Sequence, residues 1–201
     1  GGAEQSDKAG VFVPLSKQVA NEPDSFKDHP ISQLLGKDGN ETYVGYFFQE
    51  NLNLVEGEGR SRPNSNVKGE EGVITIQGYI QIMYEIANQS TSQAVNVLLP
   101  GCNEENWEKI TNKYSHVIDK VSGRKVIFVD DVSSLDNSNG SDKVIRFIKP
   151  EFLPRAVFAK CIRESEPLMG ITGDASFVES LLEGKVVLYQ LLRWKTELLH
   201  S

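Results

Sequence analysis

The chain has 201 residues, 39% hydrophobic and 24% charged, a composition that excludes disordered and collagen-like polymers and suits one domain with a small appendage. Its 28 acidic and 21 basic residues leave a net charge of −7, so it lacks the positive footprint needed to hold a nucleic-acid polymer, whereas one free nucleotide needs only a few backbone N–H groups. Two cysteines outside any C-x-x-C pair, three scattered histidines and no apolar run of ~18 residues exclude a disulfide framework, a zinc cluster and a membrane span, and point to a reducing, cytoplasmic setting.

Residues 1–40 carry no sustained pattern and predict an irregular N-terminal extension. Within it stand an apolar clip, Val11-Phe12-Val13-Pro14, and one short helix over 26–35, capped by Ser25 and stopped by Gly36. Gly1-Gly2 reads as a remnant of tag removal, and no charged-then-apolar signal follows it, so a longer parent chain with other domains is expected. From residue 41 the pattern becomes regular. A β-rich run, Tyr43-Val44-Gly45-Tyr46-Phe47-Phe48, is followed by a long Gly/Asn/Ser-rich loop over 51–72. A helix is predicted over 76–88, with Ile76, Ile80, Met83, Tyr84 and Ala87 on one face. A buried-type strand over 94–99 stops at Pro100-Gly101. Asn103 then caps a helix to about residue 120, with Trp107, Ile110, Tyr114 and Val117 inward and Glu104 and Glu105 at its positive end. A strand over 125–129 runs into Asp130-Asp131 and a polar loop over 133–142. Next come a strand over 144–148, a helix over 153–163 with Val157, Phe158, Cys161 and Ile162 inward, and a strand over 168–172. A short helix over 176–182 closed by Gly184, a strand over 186–190 and a helix over 192–199 complete the chain.

Strands apolar on both faces, alternating with helices, predict an α/β fold: a doubly wound, mostly parallel sheet of about six strands. The expected organisation is an extension over 1–40 and a single Rossmann-like, nucleotide-binding domain over 41–201. Such sheets bind ligands outside the carboxyl ends of their strands, at a topological switch point. Four loops qualify. The sharpest holds Thr172, Gly173, Asp174, Ala175, Ser176 and Phe177, a tight turn into a helix whose free N–H groups suit a phosphate or a ribose hydroxyl. Ser176 and Glu179 also match a capping box, so the same spacing describes a simply well-capped helix. At the first strand's end, alternation puts Tyr46 and Phe48 on one face and Tyr43 and Phe47 on the other. Tyr46 or Phe48 could cover a nucleobase, with Ile148, Lys149 and Phe152 forming the opposite wall; ordinary core packing accounts for the same pattern. Tyr43 and Tyr79 are the fallback stacking residues. Arg60, Arg62 and Lys68 could make the loop over 56–72 a phosphate lid, or that loop is solvated. Asp130, Asp131 and Asp136 could hold Mg²⁺, though turn capping suits them better.

The chain contains no G-x-x-x-x-G-K-[ST], no G-x-G-x-x-G after the first strand and no G-x-S-x-G, which removes P-loop NTPases, dehydrogenases and α/β-hydrolases. No histidine stands at a strand's carboxyl end, and neither a catalytic nor a metal-binding set is assigned.

Residues 168–190, LMGITGDASFVESLLEGKVVLYQ, resemble the donor-nucleotide motif in the C-terminal half of GT-B glycosyltransferases, and most closely that of the bacterial protein-arginine rhamnosyltransferases. That motif carries an Arg, a Gly, two acidic residues, a Ser and a Phe. Here Thr172 replaces the Arg, Gly173 matches, Asp174 keeps the first acid, Ala175 replaces the second, and Ser176 and Phe177 match. The segments Tyr46-Phe47-Phe48-Gln49-Glu50, Leu98-Leu99-Pro100-Gly101 and VIRFIKPEFLPRAVF resemble, in order, the first-strand aromatic segment, the second-strand end and the base-recognition segment. The resemblance thus adds Gln49 and Gly101 to the nucleotide-binding set. With the Arg and the second acid lost, it implies nucleotide binding; the alternative is the donor half of an active enzyme that takes a nucleotide sugar and needs a second domain. Size and the LMGITGD loop also resemble KLAMP domains, Rossmann-like adenine-nucleotide binders of effector proteins from intracellular bacterial pathogens. This implies an ADP, ATP or cyclic AMP ligand and a place in the host cytosol.

Overall fold

The structure is a computed structural model and describes residues 26–47, 70–114, 123–135, 142–150 and 153–190. Its strands are β1 (Asn40–Tyr46), β2 (Ala94–Leu98), β3 (Lys125–Val129), β4 (Val144–Ile148), β5 (Leu168–Ile171) and β6 (Val186–Tyr189). They are short and, in β2 and β4, buried at every position, the signature of a sheet covered on both sides. Four helices connect them: α1 (Glu70–Gln89), α2 (Glu104–Tyr114), α3 (Arg155–Glu164) and α4 (Asp174–Leu182). The strands form one sheet in the order β3-β4-β2-β1-β5-β6, and every neighbouring pair is parallel. The molecule is therefore a doubly wound, Rossmann-like α/β fold.

Alternation along the strands sorts the core into two layers. Tyr43, Phe47, Val95, Val97, Ile145 and Phe147 face α1 and α2, meeting Ile76, Ile80, Met83, Trp107 and Ile110. Val44, Leu98, Ile148, Met169 and Ile171 face the other way, against Val157, Cys161 and Ile162 of α3, with Phe177 of α4 at the margin. The chain moves from β1 through β2 to β3 by way of the first layer and returns to β4, β5 and β6 by way of the second, as right-handed crossovers require. Phe26, Ile31, Leu34 and Leu35, from the irregular N-terminal region, are buried in the second layer.

Thr42, Asn96 and Arg146 lie directly opposite one another on three neighbouring strands, on the α3 side, and are buried. Arg146 donates to Asn96 Oδ1 at 3.1 Å, Asn96 to Thr42 Oγ1 at 3.4 Å, and Thr42 to the Leu34 carbonyl at 2.9 Å. This polar row ties the N-terminal region to the middle of the sheet, because each member satisfies the next where water is excluded.

Several elements differ from their sequence-based expectation. The helix expected over 26–35 is only a 3-10 turn, Pro30–Gln33, because Pro30 lacks the N–H that would continue a helix from residue 26; His29 Nδ1 accepts from the Ile31 N–H in its place. The helix expected from residue 76 begins at Glu70, so residues 70–72, expected as the end of the preceding loop, belong to it. The helix expected from residue 176 begins at Asp174, with Gly173 as its N-cap and no side-chain cap, so Ser176 and Glu179 do not form a capping box. Ser25, Val117, the loop over 51–69 and the helix over 192–199 lie outside the described residues.

Candidate functional site

At the carboxyl edge of the sheet, the chain leaves β1 and β2 toward the layer of α1 and α2. It leaves β4 and β5 toward the layer of α3 and α4. With the order β3-β4-β2-β1-β5-β6, neighbouring strands diverge in this way twice, between β1 and β5 and between β2 and β4. Each divergence opens a crevice of the kind in which doubly wound folds bind ligands. The second exists because β4 inserts between β2 and β3, which consecutive pairing would not place there.

The β1/β5 crevice is built on a pair of glycines. Gly45 and Gly170 are register partners, and each makes room for an aromatic ring: a Cβ on Gly170 would stand 2.2 Å from Phe47 Cζ, and one on Gly45 would stand 2.5 Å from Tyr79 Cε1. Phe47 and Tyr79 meet edge-on at 5.2 Å, and the Tyr79 hydroxyl donates to the Val44 carbonyl at 2.8 Å. Tyr79 is thus fully committed inside the sheet rather than leaning over the edge. Tyr43 is turned toward the opposite end of the sheet, where its hydroxyl donates to Glu41 at 3.0 Å. Neither fallback aromatic reaches the edge. Tyr46 does: it closes β1 on the α3 side, half-buried, with its ring 5.3 Å from that of Phe158.

Across from Tyr46, Thr172 is buried and Gly173 turns the chain at φ +82°, a conformation suited to glycine. Among the described residues, no atom would lie within 4 Å of a Cβ on Gly173, so none of them fills the space over the turn. Asp174 and Ala175 follow as exposed residues of the first turn of α4. The Asp174 carboxylate accepts from the Tyr189 hydroxyl at 2.9 Å, joining the loop after β5 to the end of β6. Ser176 is half-buried, and its carbonyl accepts from Ser180. Phe177 turns back to the sheet and meets Tyr189 edge-on at 5.0 Å. The outward-facing part of the segment is therefore Gly173, Asp174 and Ala175.

The β2/β4 crevice holds the rest of the expected set. Gly101 is exposed at φ +75°, and a Cβ there would come within 3.3 Å of the Tyr46 ring, so Tyr46 stands between the two crevices. Ile148 is wholly buried, its carbonyl accepting from Leu99 N–H, while the Lys149 N–H donates to Val129. The Ile148 carbonyl and the Lys149 N–H thus take part in the sheet ladder. The Lys149 ammonium pairs with Glu104, the first residue of α2. Cys102 is buried beside this pair, and burial above all pushes its thiol up to about 12, leaving it protonated and unreactive. Phe48, Gln49 and Phe152, and the cationic loop carrying Arg60, Arg62 and Lys68, lie outside the described residues.

The aspartates after β3 serve as turn and packing partners. Asp131 accepts from the backbone N–H and the hydroxyl of Ser133, which hold its carboxyl below the usual range, and Asp130 accepts from the Trp107 indole. Asp136 lies outside the described residues. Among the described residues no group of three or more His, Cys, Asp or Glu side chains could hold a metal ion, and no helix is long and apolar enough to cross a membrane.

Sequence reasoning missed the glycine pair under Phe47 and Tyr79 and the Asp174–Tyr189 link. It also missed the polar row, although Asn96 and Arg146 are visible as polar interruptions in otherwise apolar strands. No protein-family model matches the chain, and neither a characterised protein nor a solved structure shows a significant match to it.

Proposed function

We propose that the chain is a nucleotide-binding domain of a bacterial effector-type protein, and that the nucleotide lies along the carboxyl edge of the sheet. An adenine nucleotide (ADP, ATP or cyclic AMP) is the favoured ligand, in line with the resemblance of the LMGITGD loop. The observation that carries this reading is the Gly173 turn at the β1/β5 switch point. It opens α4 with space above it that no described residue fills and an exposed carboxylate beside it. That carboxylate orients the ligand. An anion at Asp174 would meet like charge, so this end of the site takes the neutral ribose, whose hydroxyls donate to Asp174 while the turn supplies N–H groups. Tyr46, half-exposed across the crevice, supplies the stacking surface for the base.

A thermal-shift screen of ADP, ATP, cyclic AMP, UDP, dTDP and GDP at millimolar concentration, followed by calorimetric titration of the best ligand, tests the reading. A ligand at 100 times its Kd adds about 2.7 kcal/mol of stability, a readily measured rise in melting temperature. Melting unmoved by every nucleotide would overturn the assignment.

A further inference from the structure

Lys149 follows β4 at the mouth of the β2/β4 crevice, and its ammonium pairs with Glu104. The partners are unequal: the lysine side chain is 10% exposed and the glutamate side chain 87%. A lysine whose side chain is this far buried is favoured by a nearby counter-charge, whereas a carboxylate standing in water loses little when its ion pair is broken. Glu104 is therefore an exchangeable partner for a cation that is itself fixed. The crevice mouth also receives the positive end of the eleven-residue helix α2, which Glu104 opens.

The geometry along the edge supplies the second half of the argument. From β5 to β4 the sheet passes through β1 and β2, three strand spacings or about 14 Å. A nucleoside seated between Tyr46 and the Gly173–Asp174 turn does not span that distance; phosphates carried on its ribose do so by crossing the ends of β1 and β2. The path passes Gly101, which is exposed and has no side chain to obstruct it. We infer that Lys149 anchors the phosphate end of the nucleotide, with Glu104 as the counter-ion displaced by the terminal phosphate of a nucleoside diphosphate. This rests on the nucleotide reading above and gives the site its polarity, ribose at Asp174 and phosphates at Lys149.

Calorimetric titration of adenosine and ADP into the 201-residue chain, with Lys149→Gln, Glu104→Gln and Glu105→Gln variants, tests it. The expected result is that ADP binds at least about tenfold more tightly than adenosine, and that Lys149→Gln removes about a tenfold advantage or more while leaving adenosine affinity unchanged. Glu104→Gln should strengthen ADP binding several-fold and leave adenosine alone. Glu105→Gln, which removes an equal charge one residue further on, from a carboxylate paired with Lys109 rather than with Lys149, should have a smaller effect. A folded Lys149→Gln variant that keeps the full ADP advantage overturns the inference, as does equal strengthening by the two glutamate variants. If Lys149→Gln does not fold, the comparison of Glu104→Gln with Glu105→Gln decides. Adenosine binding without any phosphate advantage sinks the Lys149 anchor alone, whereas failure of both ligands to bind sinks the nucleotide reading with it.

Discussion

Gly173 separates folding from binding at the scale of a single residue. Its φ of +82° strains any side chain, yet a Cβ there touches no atom of the described residues. Gly173→Val should therefore cost about 1–3 kcal/mol of stability through the backbone alone, because the turn pairs its positive φ with a ψ of 140°. The branched side chain then occupies the space a ligand needs, and nucleotide affinity should fall at least tenfold, measured by titration at a temperature where circular dichroism shows the variant folded. Normal affinity would remove this turn from the site. Tyr46 poses the converse problem, since its ring both touches Phe158 and faces the edge. Tyr46→Ala is expected to weaken nucleotide binding by roughly 1–3 kcal/mol through lost stacking. Unchanged affinity with a large loss of stability would make Tyr46 a core residue.

Among the elements, β1 and β5 depend on one another through what they lack. Gly170 leaves the volume that Phe47 fills, and the nearest approach of an added Cβ to the ring is 2.2 Å, too close for a rigid core aromatic to accommodate without moving. Gly170→Ala should destabilise the fold by roughly 2–3 kcal/mol in urea denaturation. Combining it with Phe47→Ala should cost less than the two changes added separately, because one removes the clash created by the other. The fold was largely legible in the sequence for a related reason: apolar-rich runs over 125–129 and 144–148 delimit β3 and β4 to the residue, β4 because it is buried at every position and β3, the edge strand, because its β-branched and aromatic residues still pack half-buried against the helices. Helix starts were less legible. Ser176 and Glu179 imitate a capping box although the chain turns three residues earlier, at Gly173, where backbone conformation rather than a side chain ends the strand. In the candidate site, the Gly173–Asp174 turn was readable from local residue types. The pairing of Lys149 with Glu104 was not, because it depends on β4 lying beside β2, a strand order that no local pattern encodes.

For the molecule as a whole, acid is the expected route to unfolding. Glu41 accepts hydrogen bonds from Ser90, Ser92 and Tyr43 at the amino edge of the sheet, and Arg124 lies close by. Burial alone would raise its carboxyl, but the three hydroxyls and the guanidinium outweigh that and hold it below the ordinary 4.5. The folded state thus binds this proton less readily than the unfolded chain, so its stabilisation is complete above the ordinary value and is lost as pH falls through the folded value. His29 acts in the same direction at higher pH: burial lowers its imidazole, the unfolded chain takes up the proton first, and stability declines as pH drops below 6.5. Melting temperatures of the wild type and Glu41→Gln between pH 7 and pH 3 should show a shallower decline for the variant below about 4.5. Parallel curves would mean that Glu41 contributes nothing to acid lability.

The central place of β1 has a consequence for how the polypeptide reaches this architecture. Tyr46 pairs with Ile171, so one side of β1, the first strand among the described residues, stays unpartnered until β5 has been synthesised, even though β2, β4 and β3 can already have assembled on its other side. A ribosome-bound nascent chain at that stage presents an open row of peptide groups flanked by Val44 and Phe47, a template for pairing with another chain. Pairing with so distant a partner also raises the contact order, which slows folding more than it lowers stability. Slow refolding is the expected kinetic counterpart of placing the candidate crevice between two strands so far apart in sequence.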